Sequence, residues 1–182
     1  MQLVVLGLNH RSAPVAVRER FSFDKEEVKD ALKHVYEHEA VAECVLLSTC
    51  NRTELYAVLE DVVEPRDFML QLLKHIKGAE QLITDDQWFF FYEGREMIAH
   101  LFNVASSLDS LVIGEGQILS QLKVAYITAY SQGLTGPIFN IVFQRAISVG
   151  KRVRTMTGIA NTPVSVSYAA VNLAEDALTK PM

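Results

Sequence analysis

VAECVLLSTCNRTELYAVL (41–59) has two apolar ends around a polar centre. The flanks, 41–47 (VAECVLL) and 53–59 (TELYAVL), are rich in β-branched, aliphatic and aromatic residues. Each has the length of a strand rather than of a helix. The corner between them, Ser48-Thr49-Cys50-Asn51-Arg52, is made of turn-forming polar residues around one thiol.

Upstream, Asp24 stands as an N-cap with Glu27 three residues later, a capping box opening a helix that should run to about His38. Phe23 and Val28 occupy the positions of a hydrophobic staple. Residues 3–8 (LVVLGL) read as a buried strand, and Asn9 to Arg20 as a polar, arginine-rich loop. Downstream, Pro65 suits the first turn of a second helix, which Gly78 should stop. The aromatic run 87–92 (QWFFFY) reads as a fourth strand. Strand, helix, strand, strand, helix, strand is the ferredoxin-like split βαβ order, so residues 1–93 are expected to form an antiparallel sheet covered by two helices.

From Gly94 the pattern turns helical. Helices are expected over 95–105 and 115–131, the second lining one face with Ile118, Leu119, Leu122, Ala125, Tyr126, Ala129 and Tyr130. Gly133 and Gly136-Pro137 punctuate the chain before a third helix that reaches about Arg154. Thr157 to Pro163 reads as a loop and Ser165 to Leu178 as a last helix. The fold class is thus α+β, with a helical half at 94–157 following the sheet.

The bulk properties narrow the function. Apolar residues are 49% and charged residues 21% of the 182, as in ordinary globular proteins and unlike disordered chains. Cys44 and Cys50 are too few for a disulfide framework or a zinc site, and no metal is expected. No apolar run approaches the roughly 20 residues that cross a bilayer, and no leader opens the chain; a reducing cytoplasm with free thiols is the expected setting. The net charge of −5 gives no electrostatic hint of a nucleic-acid partner and weighs against broad nucleic-acid affinity. The one basic cluster, Lys151, Arg152 and Arg154, also suits a solvated helix end.

The two cysteines differ in setting. Cys44 lies among Val41, Val45 and Leu46, as a small inert hydrophobe would. Cys50 lies in a polar corner poor for burying a thiol, with Arg52 close enough in sequence to favour its thiolate. It is the candidate nucleophile. The loop after the first strand could bring Asn9, His10 or Arg11 beside it. His100, between Met97, Ile98, Leu101 and Phe102, suits a core or boundary position as well as a catalytic one. The run 107–117 (SLDSLVIGEGQ) places polar groups ahead of a helix N-terminus, which suits either a cap or an anion. No G-x-G-x-x-G follows a strand, so no dinucleotide site is expected within these residues.

Four segments together resemble the N-terminal catalytic part of the glutamyl-tRNA reductase family: 7–23 (GLNHRSAPVAVRERFSF), 46–58 (LLSTCNRTELYAV), 107–126 (SLDSLVIGEGQILSQLKVAY) and 150–155 (GKRVRT). The resemblance implies an oxidoreductase of tetrapyrrole (haem) biosynthesis that acts on glutamyl-tRNA. A cysteine takes the glutamyl group as a thioester, and NADPH reduces it to glutamate-1-semialdehyde. It implies Cys50 as nucleophile, Thr49 and Arg52 beside the substrate with Arg52 on its carboxylate, and Ser110, Glu115 and Gln117 closing on the glutamate, with Glu115 on the ammonium. It implies acid–base or positioning work for His100. Residues 1–157 would be the catalytic domain, and 158–182 a loop and the start of a long connecting helix. The family's NADPH-binding and dimerisation domains would lie beyond, so neither bound NADPH nor the homodimer contact is expected of this chain. Such a fragment should form and slowly hydrolyse the thioester. A non-catalytic module binding tRNA or a protein, and a free-standing thiol hydrolase, are the other readings.

Overall fold

The computed structural model describes residues 1–79 and 86–160. A four-stranded sheet runs in the order β2-β3-β1-β4, from β1 (Gln2–Asn9), β2 (Val41–Ser48), β3 (Arg52–Leu59) and β4 (Phe90–Glu93). Every neighbouring pair is antiparallel, with Val5 opposite Tyr56 on one side and Tyr92 on the other. Three helices precede β4: α1 (Val15–Arg20), α2 (Lys25–Tyr36) and α3 (Pro65–Ile76). Among the described residues three follow it: α4 (Arg95–Ala105), α5 (Gln117–Ser131) and α6 (Pro137–Met156).

Helices cover both faces of the sheet, which explains why its strands read as continuous apolar runs. Successive side chains of a strand point to opposite faces. On β2, Cys44 Sγ lies 3.7 Å from the Leu32 carbonyl of α2, while Glu43 turns the other way and accepts from the N–H groups of Ile138 and Phe139 in α6, at 3.0 and 2.7 Å. On β3, Thr53 Oγ1 donates to the Phe21 carbonyl at 3.0 Å, and Tyr56 on the opposite face packs edge-on against Phe143 of α6. All eight residues of β3 are buried. The sheet is therefore covered on both faces, not only by the two helices of its own half. Glu43 satisfies donors that the first turn of α6 leaves free, joining the halves through one buried carboxylate. At the outer edge of β2, the Cys44 N–H is occupied by the Leu134 carbonyl at 2.9 Å.

Local chemistry sets the helix ends. Asp24 accepts from the Glu26 and Glu27 N–H groups, and Glu27 returns the bond to the Asp24 N–H at 2.8 Å, completing the expected capping box. Gly78, at φ +62, follows the end of α3. Gly150 lets α6 approach α4, because a Cβ there would collide with the Ala105 carbonyl.

Several expectations need correction. The expected loop from Asn9 to Arg20 contains helix α1, seated behind Pro14. The fourth strand begins at Phe90 instead of 87, because Asp86–Trp88 form a 3-10 turn. Tyr130 is 57% exposed and leaves the buried face of α5, where Ile118, Leu122, Ala125, Tyr126 and Ala129 remain. A 3-10 turn at Gly158–Ala160 occupies part of the expected closing loop, and the expected helix over 165–178 lies outside the described residues. Among the described residues no helix is long and apolar enough to cross a membrane.

Candidate active site

The corner between β2 and β3 is a tied loop. The Thr49 N–H donates to the Arg52 carbonyl at 2.8 Å, and Thr49 Oγ1 accepts from the Asn51 and Arg52 N–H groups at 3.2 and 3.1 Å. The segment after β1 grips it from outside: the His10 N–H donates to the Asn51 carbonyl at 3.0 Å, and Arg18 Nη1 to the Cys50 carbonyl at 2.7 Å. Cys50 is left exposed at the tip, whereas burial pushes the Cys44 thiol up to about 12.

The facing wall is the segment between α4 and α5. Ser107, buried at φ +61, closes it by donating Oγ to the Glu115 carbonyl at 2.7 Å. Arg154, near the end of α6, donates to the Gly114 carbonyl at 3.0 Å. Thr49, Cys50, Arg52, Ser110, Glu115 and Gln117, all singled out from sequence, line one narrow cleft of ≈ 20 Å³ with Ile118 and Gln121. That is room for about one water molecule.

Arg52 does more inside the protein than expected. Its side chain is 2% exposed; Nη1 meets Glu54 Oε1 at 2.6 Å and Asp109 Oδ2 at 3.1 Å, and Nη2 donates to the Asp109 carbonyl. The guanidinium is thus shared between two carboxylates, partners that the expected roles beside the Cys50 thiol and the substrate's carboxylate did not include. Burial by itself would raise the Glu54 carboxyl, but Arg52, His100 and the Tyr56 hydroxyl hold it at about 2. Burial and Glu54 raise the Tyr56 phenol, which donates to Glu54 Oε2 at 2.5 Å. Asp109 also pairs with Arg11 at 2.9 Å. Burial, then Arg52 and Arg11, lower the His10 imidazole, and its Nδ1 is buried without a hydrogen-bond partner.

His100 sits behind this network rather than in the cleft. Its Nε2 is 3.1 Å from Glu54 Oε1, and its ring packs against Phe90 and Tyr92. With Asn9, Arg11, Ser12 and Asp109 it lines a second cleft of ≈ 200 Å³. Glu54, His100 and Asp109 bring ligand atoms within 4.8 Å of one another, but the Arg52 guanidinium is already paired with both carboxylates, so a metal ion there would face a cation. Sequence reading missed Glu54 and Tyr56. The signal was their spacing, since residues two and four along from Arg52 on a strand share its face.

A family model described as glutamyl-tRNAGlu reductase, N-terminal domain, matches residues 6–157. The glutamyl-tRNA reductase of Desulforudis audaxviator is 46% identical over 178 residues, 98% of this chain and 40% of that protein. That of an Exiguobacterium species is 44% identical over 176 residues, covering 97% and 39%. Among solved structures, glutamyl-tRNA reductase from Methanopyrus kandleri superposes with a TM-score of 0.76 at 36% identity, over 96% of this chain and 39% of that one. The chain spans about 40% of the length of these relatives, and with an exposed thiol at the mouth of a cleft built from both halves of the molecule it belongs to the glutamyl-tRNA reductase N-terminal domain family.

Proposed function

We propose that this chain is the glutamate-accepting part of a glutamyl-tRNA reductase, an enzyme of tetrapyrrole biosynthesis, with Cys50 as the acyl acceptor. One observation carries the reading: the exposed Cys50 shares a single cleft with Thr49, Arg52, Ser110, Glu115 and Gln117. The Cys50 thiolate attacks the carbonyl carbon of the glutamyl ester. The carbon–sulfur bond forms, the bond to the ribose oxygen breaks, and that oxygen takes a proton as the tRNA leaves. Thr49 holds the corner in shape. Once Asp109 has moved off it, Arg52 offers its guanidinium to the substrate's carboxylate; Glu115 offers its carboxylate to the ammonium, and Ser110 and Gln117 complete the pocket. His100 acts through Glu54 on Arg52, or delivers protons from the neighbouring cleft.

The narrow cleft admits a glutamyl group only if residues 106–116 draw back. Asp109, bonded to Arg52 and Arg11, is the latch on that movement. Reduction of the thioester by NADPH belongs to other parts of the longer protein. The described residues do not fit a dinucleotide: their sheet is wholly antiparallel, and no glycine-rich turn leads from a strand to a helix. Pairing with a second copy is likewise assigned to the longer protein. The strand order β2-β3-β1-β4 supports the split βαβ reading, the match over 6–157 supports a domain ending near 157, and two free thiols support a cytoplasmic setting.

With no hydride supplied, residues 1–182 would form the thioester and hydrolyse it slowly. Incubation with glutamyl-tRNA, acid quenching and peptide mass spectrometry should find a glutamyl adduct on Cys50 that disappears in Cys50→Ser. Absence of an adduct where a full-length relative is modified would overturn the proposal.

A further inference from the structure

Charge is unevenly distributed along this chain. Residues 117–157 hold Lys123, Arg145, Lys151, Arg152 and Arg154 and no aspartate or glutamate, while the whole chain carries −5. On α6, Arg145 and Arg152 are seven residues apart, two helical turns, and so project from one side. Ile141, 63% exposed, and Met156, 72% exposed, lie on that side, opposite the buried Phe139, Phe143, Ala146, Ile147 and Gly150. Among the described residues no carboxylate pairs with Lys123, Arg145, Lys151 or Arg152. Lys29 and Lys33 of α2, by contrast, each meet an acidic neighbour one turn away.

The basic helix also adjoins the candidate active site. Arg154 bonds the Gly114 carbonyl, and the residues that follow, Glu115 and Gln117, line the Cys50 cleft. Val149, Arg152, Val153 and Met156, toward the same end of α6, border an open groove of ≈ 260 Å³.

We propose that the solvent face of α6, from Ile141 to Met156, docks the phosphate backbone of an RNA whose 3′ end reaches Cys50. The proposal rests on the acyl-transfer reading above for the identity of that RNA. Charge complementarity selects the occupant: unpaired cations on an acid-free helix suit a polyanion that releases counterions on binding. A second copy pairing through the same patch would set these cations against one another. Chain order and the Arg154 tie put the patch next to the cleft, as an acceptor strand entering from that side requires.

The test is fluorescence anisotropy with labelled, uncharged tRNA-Glu and this chain, titrated between about 50 and 200 mM salt. Arg145→Gln/Arg152→Gln is compared with Lys29→Gln/Lys33→Gln, and circular dichroism checks that both remain folded. The α6 variant should bind about tenfold more weakly, with the slope of log K against log salt reduced by roughly 1–2. The α2 variant should stay within about twofold of the parent. Equal binding by parent and α6 variant, equal losses in both variants, or no salt-dependent binding by the parent would each overturn the proposal. So would loss of self-association in sedimentation with RNA binding intact, which would make the face a protein interface. Glutamyl transfer to Cys50 from a small activated ester separates the two readings. Its persistence in the α6 variant leaves chemistry intact and docking impaired, and its absence in the parent counts against Cys50 as acceptor whatever the RNA result.

Discussion

Two cysteines six residues apart show how far local sequence reaches. Cys44 faces α2 under full burial and Cys50 tips a polar corner, as their neighbours indicated. Native protein treated with iodoacetamide should therefore be alkylated at Cys50 at least about tenfold faster than at Cys44, because the thiolate is the reactive form. Peptide mapping that found equal rates would contradict this. Glu54 is the opposite case. The strand spacing puts Arg52 and Tyr56 on its face, but nothing local announces its full burial or the partner that comes from 46 residues away, His100. Glu54→Gln leaves Arg52 buried with one acceptor fewer and should cost about 3–5 kcal/mol in urea unfolding. A loss below about 1 kcal/mol, the range of exposed pairs, would mean that the network is solvated.

Element boundaries were legible where a side chain bonds its own helix and obscure where a distant element does the work. Asp24 and Glu27 mark the start of α2 by a reciprocal local contact. The start of α6 was legible from Gly136 and Pro137, but not the carboxylate that caps it, because Glu43 arrives from another strand. Asp24→Ala should cost about 1 kcal/mol, as exposed N-caps do. Glu43→Ala removes the acceptor for two N–H groups, one of them buried, and should cost about 2–3 kcal/mol. Thermal unfolding of the two variants side by side checks the ranking, and a milder effect from Glu43→Ala would sink it. Tyr130 was misassigned for a related reason: a seven-residue apolar stripe fits α5, but only the positions facing β2 and α6 are covered.

For the molecule as a whole, the pattern of strands and helices was readable, whereas the sharing of one cleft by residues 49–52 and 110–117 followed only from the family resemblance. What the pattern could not give was the second cover on the sheet, since periodicity reports that a strand is buried and not what buries it. Acid response is a property at this scale. Glu54 ionises at about 2 in the folded chain against an ordinary 4.5, so the unfolded chain takes up its proton first as pH falls. The stability contributed by this depressed group is fully present above 4.5 and is lost between about 4.5 and about 2. Melting curves followed through that window should show a falling midpoint, with a shallower fall in Glu54→Gln. Parallel curves would assign acid lability to other carboxylates.

The Leu134 carbonyl on the Cys44 N–H has a consequence for aggregation. A four-stranded sheet has two rims, and a bare rim is where foreign strands add. Here one rim is only the four residues of β4, and the longer rim of β2 is stoppered midway by a loop from the helical half. Strand-by-strand growth of the sheet is closed off at its longest open stretch. Opening the α5–α6 connection, rather than loosening the sheet, is then the event that would expose this protein to amyloid-like association.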